Sequence, residues 1–217
     1  MTLPYGRVTA SADLCDKAFE IVAMRYSRGD ALSDVREDVN NLLSMHEQLK
    51  RYCDALPNDE QKKRIIYERL SYDNYNDFVS WQSLAACFEM GETHIKRVLE
   101  LIGNAGKDAL LDRLAVKLGD HDRSVAQALI FPKQYASLLQ VMNATTDEQP
   151  VLMGNFLDGW YKSNKSVAAW YDNHKGEDTG YVGYWCFEAA LVVKLFNIDD
   201  SSFRSHVYYP ADLVHVS

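Results

Sequence analysis

One set of histidine and aspartate side chains in the sequence has the composition of a metal-dependent hydrolytic site. The adjacent pair His121-Asp122 lies between His94 and Asp158. Imidazoles and carboxylates of this kind can jointly hold a divalent cation that activates a water molecule for attack on a phosphate ester. However, the pair directly follows Gly119-Asp120, at the expected start of a helix, where capping explains the aspartates. We therefore prefer the structural interpretation and predict no metal site.

Two further groups of carboxylates could support acid–base or metal chemistry. Glu188 lies in a strongly apolar stretch, where burial would raise its pKa and suit it to act as a general acid. A buried carboxylate is more often held by a neighbouring donor, so we expect Glu188 to be structural. Asp199-Asp200 could form a metal pair, but helix capping is the simpler explanation. The sequence contains no G-x-S-x-G, P-loop, H-E-x-x-H or G-x-G-x-x-G motif. We predict no catalytic residue and no cofactor.

The four cysteines form no recognisable redox or zinc motif. They occupy positions 15, 53, 87 and 186 without a C-x-x-C pair, and each has apolar, helix-periodic surroundings. Such surroundings favour buried free thiols. We expect neither a disulfide framework nor a zinc site.

The chain is acidic, with 31 Asp and Glu residues against 23 Lys and Arg residues and a formal net charge of −8. The excess is spread evenly and forms no acidic tail. Such a surface repels nucleic acid, whose binding depends on Lys and Arg neutralising phosphates. It would attract a basic protein and raise the association rate, although mild acidity also serves solubility alone.

No segment of the sequence suggests membrane insertion or export. The apolar runs are shorter than the roughly 20 residues needed to span a bilayer. The first residues, MTLPYGR, lack the apolar segment of a signal peptide. We therefore expect a cytoplasmic protein without a membrane partner. Its 47% hydrophobic content is enough for a substantial core.

The element that must organise the chain is the apolar stretch from Tyr181 to Phe196. Its apolar residues recur at intervals of three and four positions, which predicts a helix buried on most of its surface. Asn197 can end that helix in the left-handed conformation. Asp200 or Ser201 can cap a short following helix, and Tyr209-Pro210 then requires an extended backbone.

Amphipathic helices are predicted over most of the remaining chain. Ser11 is a candidate cap for the first helix, and Gly29 is its candidate end. Residues 72–76 are rich in turn formers, and residues 104–149 suggest three shorter helices. We find no convincing β-pattern. The predicted fold class is all-α, a compact domain of antiparallel helices on short connections.

The predicted helices fall into three regions. These are an N-terminal helical region, 1–104, connecting helices, 105–149, and a C-terminal helical region, 150–217, which we expect to form one compact unit. A similar sequence pattern occurs in the first region and in the third. In both, an aromatic helix ends in a corner, at Gly91 or Asn197, and an acidic helix start follows. This repeated pattern suggests that the chain consists of two related helical halves.

The C-terminal residues resemble a known family, the PoNi-type immunity proteins. The segments that carry the resemblance are 157–161 (LDGWY), 170–171 (WY), 183–190 (GYWCFEAA), 197–202 (NIDDSS) and 206–214 (HVYYPADLV). They match the C-terminal domain of that family over residues 150–214. The likeness over residues 11–103 is looser and consists of the helical pattern and the corner FEMG at 88–91.

The resemblance implies a bacterial, helical protein that is not an enzyme. PoNi-type proteins bind and neutralise polymorphic nuclease (PoNe) toxins, which are metal-dependent DNases delivered into rival cells, often by type VI secretion. The resemblance therefore implies that this chain protects its producer by blocking a cognate nuclease toxin. The expected mode is occlusion of the toxin's active site, with binding away from that site as an alternative.

The residues expected to bind the partner are acids near the loop around positions 172–178. The segments quoted above are mostly apolar or capping, so recognition should lie outside them. The expected binding residues are Asp158, Asp172, Glu177 and Asp178. Two other functions stay open: a helical adaptor for a non-toxin partner and, on His121-Asp122, an HD-type metal-dependent phosphohydrolase.

Overall fold

The structure, a computed structural model, describes residues 3–177 and 179–215 of the chain. Within these ranges the backbone forms nine α-helices and three short 3₁₀ turns and contains no strand, which confirms the all-α prediction. The α-helices are α1 (Pro4–Arg28), α2 (Leu32–Asp54), α3 (Ile65–Glu68), α4 (Tyr72–Cys87), α5 (Glu92–Ile102), α6 (Ala109–Lys117), α7 (Pro132–Asn143), α8 (Gln149–Ser163) and α9 (Phe187–Phe196). None of these helices is long and apolar enough to cross a membrane.

The first two helices, α1 and α2, pack against each other along their length. Gly29 ends α1 in the left-handed conformation at φ = 80°, as its position in the sequence predicts. Arg25 holds the corner by donating to Asp38 of α2 at 2.6 Å. The predicted cap at Ser11 is wrong, because α1 begins at Pro4, a residue that suits the first turn of a helix.

The core is centred on α4 and α9, which pack against each other. Helix α9 is buried from Phe187 to Val193 because its side chains are apolar on nearly every face. Helix α4 and its C-cap are buried from Phe78 to Phe88. All four cysteines are buried as free thiols, which confirms the prediction.

The first turns of α4 occupy residues 72–76, which the sequence predicts as a turn. Tyr72 and Tyr75 pack edge-on against Phe131, with ring centroids 5.2 and 5.0 Å away. The Tyr75 hydroxyl also donates to Asp108 at 2.9 Å. The turn prediction is wrong because these tertiary contacts outweigh the local preference of the Asp and Asn residues in the segment.

The predicted helix from Tyr181 to Phe196 is wrong in its first part. Helix α9 begins only at Phe187, and residues 181–186 have no regular secondary structure. Gly183 has φ = 96°, which a right-handed helix does not allow. At the other end, Asn197 closes α9 in the left-handed conformation at φ = 50°, as predicted.

The chain beyond α9 is anchored by Asp200 rather than continued by the predicted short helix. This carboxylate is buried and accepts from Arg204 Nε at 2.9 Å and from the Tyr209 hydroxyl at 3.1 Å. It also lies 2.8 Å from His215 Nε2. Although burial opposes ionisation, the bonds from Arg204 and His215 hold the pKa of Asp200 below its ordinary value.

Two buried aspartates hold an irregular segment, residues 118–131, where the second of the three short helices was expected. Asp108 caps α6 and also accepts from the Ile130 amide at 2.8 Å. Asp112 accepts from Arg123 Nε at 2.7 Å. The helix prediction is wrong because these carboxylates supply the polar partners that an irregular backbone needs.

Asp112→Ala should destabilise the protein by about 3–5 kcal/mol, because the Arg123 side chain is only 3% exposed and would lose its buried counter-charge. Asp122→Ala is the control, since Asp122 is an exposed acid in the same segment, and its effect should stay within about 0.5 kcal/mol. Urea unfolding measures both free energies. Equal effects in the two variants would contradict an anchoring role for the buried pair.

Candidate functional site

A cavity of about 830 Å³ with aromatic walls lies where the end of α1 meets the 164–186 connection and the C-terminal segment. Tyr181 and Val207 stand at this cavity with 51% and 70% of their surface exposed. Predicted binding residue Asp172 is also part of the wall. We call this region the C-terminal cavity. Its other principal wall residues are Met24, Ser27, Arg28, Tyr161, Tyr184 and Tyr208.

Trp160 of α8 and Glu188 of α9 connect this surface to the core. The indole Nε1 of Trp160 donates to Glu188 Oε1 at 2.8 Å, and both side chains are buried. Burial raises the pKa of Glu188, while the hydrogen bond from Trp160 favours the ionised form. The expected structural role of Glu188 is therefore confirmed.

A series of ring contacts leads from Trp160 to the cavity. Trp160 stacks on Trp170 at a centroid distance of 5.3 Å. The ring of Tyr208 lies 5.4 Å from both Trp160 and Tyr161, and Tyr184 lies 5.0 Å from Tyr161. Such pairs contribute about 0.5–1.5 kcal/mol each beyond the area that they bury. The cavity wall is thus held in place by the core beneath it.

Asp172 shapes the connection around the Tyr161 hydroxyl. That hydroxyl donates to Asp172 Oδ1 at 2.7 Å and accepts from the Asp172 amide at 3.1 Å. Lys175 Nζ lies 2.9 Å from Asp172 Oδ2. Hydrogen bonds from Lys175 and Tyr161 lower the pKa of Asp172, and its φ of 65° is uncommon for a residue other than glycine. Asp172 therefore positions the loop as well as carrying charge.

The 164–186 connection contacts the C-terminal end of α1 at Gly183. Ser27 Oγ donates to the Val182 carbonyl and accepts from Trp185 Nε1, the latter at 2.7 Å. A Cβ atom at Gly183 would overlap Ser27 Oγ, and φ at this position is 96°. The close approach of the two segments therefore requires glycine.

Asp158 belongs to the same surface as Asp172. Its side chain lies on α8, is 77% exposed, and places Oδ1 3.4 Å from His206 Nε2. The His206 ring is 5.6 Å from that of Tyr208, which in turn stacks on Tyr161, the partner of Asp172. The structure thus connects two of the predicted binding residues through His206, Tyr208 and Tyr161.

Glu177 is exposed in the 164–186 connection and forms no ion pair with the residues that the structure describes. Asp178, the fourth predicted binding residue, lies outside the described residues. The sequence analysis missed the contributions of Met24 and Val207, because periodicity reports only neighbours along one element. The one available signal was an apolar residue, Met24, on the outer face of α1.

The candidate hydrolytic set does not come together. His121 and Asp122 lie in an exposed turn after α6, not at a helix start, beside a cavity whose lining excludes His94 and Asp158. Asp158 contacts His206 instead. Across residues 3–177 and 179–215, no group of three or more His, Cys, Asp or Glu side chains is arranged to hold a metal ion.

An all-α fold with an exposed aromatic cavity has the features of a protein-binding protein. Two family models match the chain: PoNe immunity protein (PoNi), N-terminal, over residues 8–100, and PoNe immunity proteins (PoNi), C-terminal, over residues 106–213. The chain therefore belongs to the PoNe immunity protein family. It is an immunity protein against a PoNe nuclease toxin, an inhibitor and not an enzyme. Comparison with curated proteins and with solved structures gave no match.

Gly183→Ala should destabilise the protein by about 1–3 kcal/mol, because the new Cβ overlaps Ser27 Oγ in a left-handed backbone conformation. Gly154→Ala is the matched control. Gly154 lies inside α8 with open space around its Cβ position, so alanine should stabilise the protein by about 0.5–1 kcal/mol. Thermal unfolding compares the two. If Gly183→Ala unfolded at the same temperature as the wild type, the close contact between Gly183 and Ser27 of α1 would be contradicted.

The titration of Glu188 should make the free energy of unfolding depend on pH. Because its pKa is raised above the ordinary 4.5, the folded protein holds the proton more tightly than the unfolded chain. The resulting stability is fully present below pH 4.5 and is lost as pH rises through the raised folded pKa. Glu188→Gln keeps an acceptor for Trp160 without this titration. Its stability should therefore fall less than that of the wild type as the pH rises above 4.5. Parallel pH dependences of the two unfolding free energies, measured with urea, would refute this role of Glu188.

Proposed function

We propose that this immunity protein inhibits its cognate PoNe toxin by covering the toxin's DNA-binding groove. It acts in the cytoplasm of the bacterium that makes it, against a toxin delivered by type VI secretion or a related system. The observation that carries the proposal is the C-terminal cavity, an aromatic surface at which Tyr181 and Val207 are exposed and whose wall includes Asp172, in a chain of the PoNi family.

Electrostatics supports this mode of inhibition. A DNase must hold a polyanion, so the surface around its active site is basic. The formal charge of this chain is −8. Asp158 is an exposed acid on α8, and Glu177 is an exposed acid in the 164–186 connection, part of which lines the cavity. Opposite potentials speed the encounter of the two proteins and align them.

Apolar and aromatic side chains supply most of the affinity in this proposal. A few toxin molecules can kill a cell, so the dissociation constant should be about nanomolar or lower, near −12 kcal/mol. Exposed charges at the rim mainly change the association rate, whereas aromatic anchors dominate binding energy. Tyr181 and Val207, both more than half exposed at the cavity, are the side chains placed for that role.

Selectivity for one toxin also has a structural basis here. An immunity protein needs contacts that fail with the wrong toxin. The 164–186 connection lies on the surface, and its conformation depends on Asp172 and Gly183. Exposed side chains between these two positions can therefore differ between immunity proteins without disturbing the core.

Reversing the two exposed acids with Asp158→Lys/Glu177→Lys should slow association with the toxin about ten-fold or more at low salt, with little change in dissociation. Asp172 is left in place because it shapes the connection. The control is Asp122→Lys/Asp147→Lys, which makes the same change in net charge at exposed acids outside the cavity and the connection. Its effect should be smaller and come only from long-range steering. Stopped-flow binding measures the rates.

A plasmid-degradation assay with magnesium completes this test. One equivalent of the wild-type chain should abolish DNA cleavage by the purified toxin. Undiminished cleavage would refute the proposed function. Equal association rates for the two double variants would remove Asp158 and Glu177 from the interface.

A further inference from the structure

The outer face of α1 carries large apolar side chains where a surface helix ordinarily has polar ones. Leu14, Ile21 and Met24 are 58%, 46% and 42% exposed. With Lys17 and Arg28 they form one stripe at intervals of three and four residues, which we call the α1 stripe. The opposite face of the helix packs on α2 and the core, so the α1 stripe is not needed to bury the helix.

The α1 stripe continues into the C-terminal cavity. Met24 and Arg28 line that cavity, where Tyr181 and Val207 are exposed. From Leu14 to Arg28 the helix adds about 21 Å of surface at 1.5 Å per residue. A stable interface buries about 800 Å² on each partner, and exposed large apolar side chains grouped along one helix face mark a site of protein contact.

Carboxylates flank the α1 stripe on one side. They are Asp13, Asp16 and Glu20 on α1 and Asp73 and Asp77 on α4. Glu20 pairs with Lys17 at 2.7 Å, while the other four form no ion pair with any residue in the described part of the chain. Burial, followed by repulsion from Asp16, raises the pKa of Asp77 to about 7. Such a group of like charges is stabilised by cations that a partner brings.

We propose that the PoNe toxin docks across the α1 stripe as well as at the C-terminal cavity. Apolar side chains of the toxin cover Leu14, Ile21 and Met24. Its Lys and Arg side chains face the exposed carboxylates of Asp13, Asp16 and Asp73. This inference rests on the proposed function, because the need to bind DNA makes the partner basic. A second copy of this chain fits less well, since a two-fold contact would bring the same acids together.

Leu14→Gln/Ile21→Gln tests the inference, because both residues lie outside the C-terminal cavity and glutamine removes their apolar contacts and still favours a helix. Affinity for the purified toxin should fall about ten-fold or more, mainly through faster dissociation. The matched control, Val125→Gln/Val151→Gln, replaces two apolar side chains that are 40% and 67% exposed outside α1 and the C-terminal cavity. Its affinity should stay within about two-fold of the wild type.

The same experiment separates this inference from the proposed function. If the wild-type chain fails to inhibit the toxin, both are overturned. If the wild type inhibits and the two double variants bind equally tightly, only the docking on the α1 stripe is overturned. Light scattering after size-exclusion chromatography adds one more outcome: a wild-type dimer that Leu14→Gln/Ile21→Gln converts to a monomer would assign the stripe to a second copy and overturn the inference.

Discussion

The hydrogen bond between Trp160 and the buried carboxylate of Glu188 joins the centre of the molecule to its candidate binding surface. Helix α9 is buried on nearly every face and packs on α4, so a group bonded to Glu188 is fixed relative to the whole core. Trp160 is that group, and its ring begins the aromatic series that ends at Tyr184 in the cavity wall. Placing a carboxylate in this core costs free energy, as its raised pKa records. The hydrogen bond from Trp160 offsets part of that cost and fixes the position of the Trp160 ring relative to the core.

Acidic residues have two separate roles in this chain, and the net charge alone does not distinguish them. Asp108, Asp112 and Asp200 are buried and hold irregular segments against the helices. Because an irregular backbone lacks the internal hydrogen bonds of a helix, each of these carboxylates replaces partners that the backbone would otherwise lack. Only the exposed acids are available to attract a basic partner. The electrostatic argument for toxin binding therefore depends on where the carboxylates lie rather than on the total of −8.

Sequence reasoning predicted the fold class and the helix ends that depend on local conformation, such as Gly29 and Asn197, because backbone preferences decide them. It failed at the start of α4 and the start of α9, where aromatic packing and the approach of Gly183 to α1 decide the outcome. The family resemblance was visible over residues 11–103 and 150–214, whereas the C-terminal family match begins at 106 and so includes the middle region, 106–149, in which the sequence showed no recognisable motif. The cavity could not be predicted in full, since the bond between Ser27 and Trp185 joins residues 158 positions apart.

Where α1 meets the 164–186 connection, the residues that stabilise the fold differ from the exposed residues that are available to bind a partner. The contact itself, at Ser27 and Gly183, tolerates no larger side chain and belongs to the fold. The side chains on either side of it, on the α1 stripe and at the cavity rim, are exposed and make little contribution to the core. Substitutions there change the shape and charge offered to a partner at little expense in stability. When the sequence of a toxin changes, the exposed residues of its immunity protein must change as well. In this fold they can do so while the contact between Ser27 and Gly183 keeps α1 and the 164–186 connection in the same relative position.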